Sequence, residues 1–438
     1  MTMKTLLIAS LALSSLPLWA ADNVDQALVQ KGEYLARAGD CVACHTAKGG
    51  KPFAGGLPME TPIGTIYSTN ITPDSTGIGA YAFEDFDQAV RHGIGKSGST
   101  LYPAMPYPSY ARVSDSDMEA LYAYFMHGVQ PVAQANKPVD IPWPLSMRWP
   151  LSIWRAMFAP KVEPFTVAGA AAGTDEIVNR GAYLVEGLGH CGACHTPRAI
   201  TMQEKALSPA DGSAFLSGSA PLEGWIAKNL RGDHKDGLGS WSEAELVAFL
   251  KTGRSDRTAV FGGMSDVVEH SMQYMNDADL TAIARYLKTL PPVNPEDTPQ
   301  VYDRAVGDAL WKGDDSKPGA SVYVDNCSAC HRTDGKGYTR VFPALAGNPV
   351  VQTADATSLI HIVLRGGTLI PTHTAPSSFT MPGYAWRLSD QQVADVVNFI
   401  RTSWGNQGSQ VSAKEVKDLR ENDLDTTSGD DLGQVSSK

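Results

Sequence analysis

The chain has 438 residues, with 47 acidic side chains against 36 Lys and Arg, for a formal charge of −11. That balance argues against nucleic acid as a partner. The length exceeds one ordinary domain, and an apolar share of 43% is that of a globular protein.

Met1-Thr2-Met3-Lys4, the apolar run Leu6 to Leu18 and Ala20-Ala21 read as a secretory signal peptide over residues 1–20. The run is too short for a membrane span. An exported chain has disulfides open to it, but its six cysteines follow another pattern. They fall in Cys41-Val42-Ala43-Cys44-His45, Cys191-Gly192-Ala193-Cys194-His195 and Cys327-Ser328-Ala329-Cys330-His331. Cys-x-x-Cys-His is the attachment pattern of c-type haem. Two thiols bond one edge of the macrocycle, and the histidine beside them is placed to ligate the iron. Zinc is the other reading of Cys-x-x-Cys. Three separated copies, each with an adjacent histidine, favour three haems c.

Three repeats follow from this. Each opens with a helical stretch carrying Gly and Tyr: Gly32-Glu33-Tyr34, Gly181-Ala182-Tyr183 and Gly319 to Tyr323. A glycine there permits close approach of another helix. Each closes on an N-cap, Ser114, Asn276 or Ser389, with Asp117, Asp279 or Gln392 three positions on. That resembles a capping box, Asp being its weaker partner. Apolar stripes follow in one register, as in Leu280/Ile283/Ala284/Leu287. Between motif and last helix another helix stops at Arg91-His92-Gly93, Lys251-Thr252-Gly253 and Leu364-Arg365-Gly366. Arg91 and Arg365 are candidates for propionate contact.

A methionine precedes each closing helix. Met105 and Met381 lie nine and eight residues before their caps, and Met264 lies twelve before its own. A thioether opposite histidine closes the iron and raises its potential, which suits electron transfer. Core filling is the ordinary role of methionine. In the middle repeat Met272 and Met275 compete with Met264 but sit too near the cap. His92, His127, His270, His361 and His373 are the histidine alternatives; His190 and His234 read as surface or satisfied residues.

Gly93-Ile94-Gly95-Lys96-Ser97-Gly98 matches a dinucleotide fingerprint but follows a helix, not a strand, and fails that context. Residues 138–172 form a Trp/Pro-rich linker holding Trp143, Trp149 and Trp154. It reads as a strap between the first two domains, or as a membrane-interface or partner surface. Residues 293–310 are a second linker, and 405–438 a polar tail expected to be disordered.

The order helix, haem motif, loops, short helix, methionine loop, helix resembles the class I cytochrome c fold. The chain is expected to be mainly α, with three tandem domains of that kind at 22–137, 173–292 and 311–404. Gly32 to Cys41, Thr69 to Asp74, Gly187 to Cys191, Val267 to Ser271 and Val393 to Ile400 carry a further resemblance. They are similar to the three-haem cytochrome c subunits of bacterial membrane-associated dehydrogenases, most of all the gluconate 2-dehydrogenase type. In the third repeat Phe342 to Gly347 looks like the segment whose proline carbonyl, here Pro343, bonds the proximal histidine. The other repeats show Asn70-Ile71 and Asn229-Leu230 at similar places.

The resemblance implies haem attachment at Cys41, Cys44, Cys191, Cys194, Cys327 and Cys330. It implies iron ligands His45, His195 and His331 with Met105, Met264 and Met381. It also implies a catalytic flavoprotein partner that carries FAD and oxidises D-gluconate to 2-keto-D-gluconate, and a small third subunit. Ubiquinone or a terminal oxidase is the acceptor, at the periplasmic side of the membrane and peripheral to it. No substrate-oxidising site is expected on this chain. The alternatives are the cytochrome subunit of a quinoprotein alcohol or aldehyde dehydrogenase, a free-standing multihaem carrier, and a haem enzyme such as a peroxidase, which needs open or His-ligated iron.

Overall fold

Helices Gln26–Ala38 and Asp115–Ala123 cross so closely that a Cβ on Gly32 would stand 1.9 Å from the Ala120 carbonyl oxygen. The crossing recurs twice. A Cβ on Gly181 of helix Glu176–Ala182 would stand 2.0 Å from the Ala282 carbonyl oxygen of helix Asp277–Thr289, and one on Gly319 would stand 2.2 Å from that of Asp395 in helix Asp390–Arg401. Ala120, Ala282 and Asp395 each lie six positions past their N-cap. The expected close approach is therefore made three times in one register. This is a computed structural model, and it describes residues 25–166, 175–222 and 224–426. The signal-peptide reading of residues 1–20 lies outside them.

The described chain is mainly helical. Its strands form three two-stranded antiparallel sheets: Pro58–Thr61 with Gly64–Tyr67, Pro221–Leu222 with Trp225–Ile226, and Gly366–Thr368 with Thr380–Pro382. In the last, Gly367 is opposite Met381. The helices before the methionine loops are Phe83–Val90, Glu243–Thr252 and Thr357–Arg365, with Gly93, Gly253 and Gly366 left-handed just beyond them.

Two apolar cores hold these elements, where three repeats suggest three. Leu35, Ala38 and Leu121 share one core with Leu184, Leu188 and Met275, so the first two repeats are packed as one body. The third has its own, around Tyr323, Val396 and Trp404. It meets the second repeat where Trp225 and Phe261 pack against that core, Trp225 standing edge-on to His361, and where the Ile226 amide donates to Ser358 Oγ at 2.8 Å.

The N-caps explain the shared core. Ser114, Asn276 and Ser389 each accept from the backbone N–H three positions on. Gln392 reaches back to the Ser389 amide at 3.0 Å and completes its own box. The shorter Asp117 and Asp279 do not, and a tyrosine from the other repeat fills the gap. The Ser114 amide donates to Tyr183 Oη at 3.1 Å, and Tyr183 donates to Asp117 Oδ2 at 2.7 Å. In return the Asn276 amide donates to Tyr34 Oη at 3.4 Å, and Tyr34 donates to Asp279 Oδ2 at 2.6 Å. Burial works against the Asp279 charge, but the bonds from Arg180 and Tyr34 outweigh it and hold the group below the usual carboxylate range.

The tail departs from expectation. Helix Ala413–Thr426 packs on helix Asp390–Arg401, with Val416 fully buried. Arg420 anchors it through Asp390 Oδ1 at 2.7 Å and the Leu388 carbonyl at 2.9 Å. A mostly polar sequence hides a stripe of Val416 and Leu419 that suffices for docking. Residues 427–438 lie outside the described residues.

Candidate haem sites

Each Cys-x-x-Cys-His motif forms one short turn at the end of the repeat's opening helical stretch. None of the six thiols is in a disulfide. In every motif the first cysteine is half-buried and the second exposed, so both are open to a group lying against the turn.

The histidines are fixed alike. His45 Nδ1 donates to the Thr69 carbonyl at 2.7 Å, His195 Nδ1 to the Lys228 carbonyl at 2.7 Å, and His331 Nδ1 to the Pro343 carbonyl at 2.9 Å. A carbonyl only accepts, so Nδ1 carries the proton and Nε2 keeps a lone pair. Burial holds all three imidazoles below their ordinary pKa, against the pull of the carbonyl. Each histidine's own carbonyl accepts from a glycine amide, Gly55, Gly218 or Gly337. The donor set fits haem c: paired thiols, a neutral imidazole with its coordinating nitrogen free, and a ring locked from behind.

The expectation for Pro343 holds as a hydrogen bond. In the other two repeats the acceptor is the residue before the expected asparagine. Asn70 and Asn229 do the positioning, since their Oδ1 atoms accept from the Thr72 and Arg231 amides at 2.9 Å each and set the turn that aims the preceding carbonyl. A proline carbonyl does this alone in the third repeat, which is why sequence spacing misses the equivalence.

Met105 and Met381 stand partly buried at the edges of the two cores. Met264 is the second residue of helix Gly263–His270 and belongs to neither. Met272 and Met275 are 5% and 2% exposed and fill the shared core. The first two motifs are neighbours: His190, just before Cys191, has Nε2 3.3 Å from the carbonyl of Gly39, just before Asp40-Cys41.

The cytochrome c family matches residues 29–128 and 316–404. Over 96% of its length the chain is 63% identical to the gluconate 2-dehydrogenase cytochrome c subunit of Pantoea cypripedii, 96% of which is covered. The chain belongs to the family of dehydrogenase cytochrome c subunits. It is also 59% identical to the alcohol dehydrogenase (quinone) cytochrome c subunit of Gluconacetobacter polyoxogenes, over 95% of this chain and 88% of that one. The fructose dehydrogenase cytochrome subunit of Gluconobacter japonicus is 38% identical, over 90% and 82%. Membership implies covalently bound haem c.

Other polar groups of this cytochrome c subunit are engaged elsewhere. Arg91, a candidate for propionate contact, pairs with Asp87 and Asp115 and donates to the Val113 carbonyl. His92 lies 3.6 Å from Asp87 Oδ2, His361 stands edge-on to Trp225, and His373 packs on Tyr274. His190 is satisfied, as expected: half-buried between the first two repeats, it meets the Gly39 carbonyl and the Tyr110 ring.

Glu186 was not foreseen. It sits in the shared core with Tyr286 Oη donating to it and Arg112 Nε at 3.7 Å. Burial pushes its carboxyl up to about 7, against the bond from Tyr286 and the charge of Arg112. With the folded value raised from 4.5, the buried carboxyl costs nothing at acid pH and subtracts stability as pH rises from about 4.5 to about 7. Glu186→Gln is therefore expected to match the wild type near pH 4 and exceed it by roughly 2 kcal/mol near pH 8. Thermal unfolding at both pH values reads the gap.

Proposed function

We propose that this chain is a three-haem electron-transfer subunit built from three tandem class I cytochrome c domains, 22–137, 173–292 and 311–404. Bound at the three motifs, haem c supplies a one-electron iron couple at each. Cys41/Cys44, Cys191/Cys194 and Cys327/Cys330 tether it. His45, His195 and His331 would hold the iron through Nε2, together with Met105, Met264 and Met381. One observation carries the reading: the glycine crossing, the Nδ1-to-carbonyl bond and the glycine amide on the histidine carbonyl recur together at all three motifs. The core positions of Met272 and Met275 favour Met264 in the middle domain.

The partner is a dehydrogenase of the gluconate 2-dehydrogenase type, with FAD on its catalytic subunit and a small third subunit. Electrons from D-gluconate pass through this chain to ubiquinone or a terminal oxidase at the periplasmic side of the membrane. Contact between the first two motifs at Gly39 and His190 supports direct exchange between those sites. No side chain here needs to act as acid, base or nucleophile. The 59% identity to an alcohol dehydrogenase (quinone) subunit supports a second reading, with a quinoprotein as the partner.

Co-purification from membranes, followed by substrate-driven reduction, tests both. The expected result is three thioether-linked haems per polypeptide by intact mass and reduction by D-gluconate. Reduction by ethanol instead transfers the chain to the second reading. Fewer than three haems overturns the domain assignment.

A further inference from the structure

The carbonyls that receive the motif histidines are held in different ways. In the first repeat the turn behind His45 is closed from within. The Asn70 amide, next to the Thr69 carbonyl, donates to Asn136 Oδ1 at 2.7 Å, and Asn70 Nδ2 donates to the Val132 carbonyl at 2.8 Å. In the second repeat the carbonyl belongs to Lys228, and the stretch that carries it leans on the third repeat. Lys228 Nζ donates to Thr353 Oγ1 at 2.5 Å, and two residues earlier the Ile226 amide donates to Ser358 Oγ at 2.8 Å. Trp225 begins the stretch against His361, with ring centres 4.7 Å apart. From Trp225 to Lys228 the chain is thus fastened at three points to helix Thr357–Arg365 and the segment before it.

The anchor is rigid. Thr353 follows helix Pro349–Gln352, and its Oγ1 donates to the Pro349 carbonyl at 2.8 Å, which leaves a lone pair for Lys228. The Thr353 carbonyl accepts from Arg401 Nη1 at 2.9 Å, and the same nitrogen reaches the Val351 carbonyl at 2.9 Å. Arg401 ends the closing helix Asp390–Arg401 and is fully buried. A lysine on an open surface fixes little, because the freedom of its long side chain opposes a single polar contact. Lys228 is half-buried and makes its bond across the boundary between two repeats.

The link bears on the histidine through the carbonyl. An Nδ1–H donated to a well-placed carbonyl fixes the imidazole plane and raises the donor strength of Nε2. A stronger donor favours oxidised iron and lowers its potential, so a loosened carbonyl raises it. We propose that Lys228 and Thr353 form a positioning pair, through which the third repeat holds the Lys228 carbonyl on His195 and so sets the reduction potential at the second motif. The inference rests on the haem reading given above and adds to it a residue from another repeat.

The test is potentiometric titration of the purified haem-loaded full chain, with electron paramagnetic resonance of the oxidised form to follow each iron. Thr353→Val is expected to raise one potential of the three, by roughly three-fold or more in that reduction equilibrium. One resonance signal should change with it, and covalent haem content should not. Thr353→Ser keeps the hydroxyl and is expected to restore both. Lys228→Met also removes a charge, so it serves as a background, in which Thr353→Val is expected to add nothing. The signal missing from Cys327→Ala/Cys330→Ala belongs to the third motif, and a change confined to that signal overturns the proposal. So do a Thr353→Ser chain that shifts as far as Thr353→Val, and a full Thr353→Val shift in the Lys228→Met background. A wild type whose 191–195 peptide carries no haem by mass overturns the haem reading and the proposal together. A loaded peptide with unmoved potentials in Thr353→Val overturns the positioning alone.

Discussion

Replacing Cys191 and Cys194 together with alanine is expected to take one covalent haem from the chain and to unfold the first two repeats as a unit. The reason lies in the packing. Cys191 borders the core that holds side chains of both repeats, from Leu35 to Leu290. Removing the tether empties space beside that core, and buried cavities cost several kcal/mol in proportion to their volume. The third repeat keeps its own core around Tyr323 and Trp404. Intact mass should show two haems in place of three, and calorimetry should show one transition lowered and another unmoved. Cys327→Ala/Cys330→Ala should give the opposite pattern, sparing the larger transition. Equal loss from both variants would contradict the two-core arrangement.

Gly181→Ala carries the second large effect. Alanine in a helix interior ordinarily stabilises by about 1 kcal/mol over glycine. At this position the new Cβ would stand 2.0 Å from the Ala282 carbonyl oxygen and 2.7 Å from the Tyr286 Cβ. The nearest obstacle is backbone and cannot swing aside, so the two helices must separate along their length. Overpacking costs roughly 1–3 kcal/mol and occasionally more, and a rigid contact this short belongs at the upper end. A net loss of about 2 kcal/mol follows, read as a lower thermal midpoint and a reduced yield of haem-loaded protein. Gly263→Ala, where a Cβ meets nothing within 4 Å, serves as the control and should leave the midpoint in place.

The haem motifs, the closing helices and their caps were legible in sequence because each depends on residues near one another in the chain. Ser114, Asn276 and Ser389 announce their helices through local side-chain-to-backbone bonds, and the structure has all three. The shared core was not legible. Leu35 and Leu188 are apolar for reasons that a single repeat already satisfies, and nothing local says which repeat they face. Tyr34 and Tyr183 were seen as companions of a packing glycine. Their hydroxyls act across repeats, on Asp279 and Asp117. A signal was present all the same: the third position of the closing helix is Asp in the two repeats that pair and Gln in the one that does not. A short carboxylate leaves a gap for a foreign hydroxyl, whereas a longer amide closes it.

The exchanged tyrosines have the form of an isologous contact, in which a patch on one half binds the matching patch on the other and the reverse. Two separate polypeptides meeting this way make a closed dimer; here both halves lie on one strand of chain. Such a contact saturates itself and leaves no copy of the surface to recruit a third member. The repeat at the carboxyl end is therefore free to diverge in orientation and attachment, while the spacing of the first two Cys-x-x-Cys-His motifs is held by this exchanged contact.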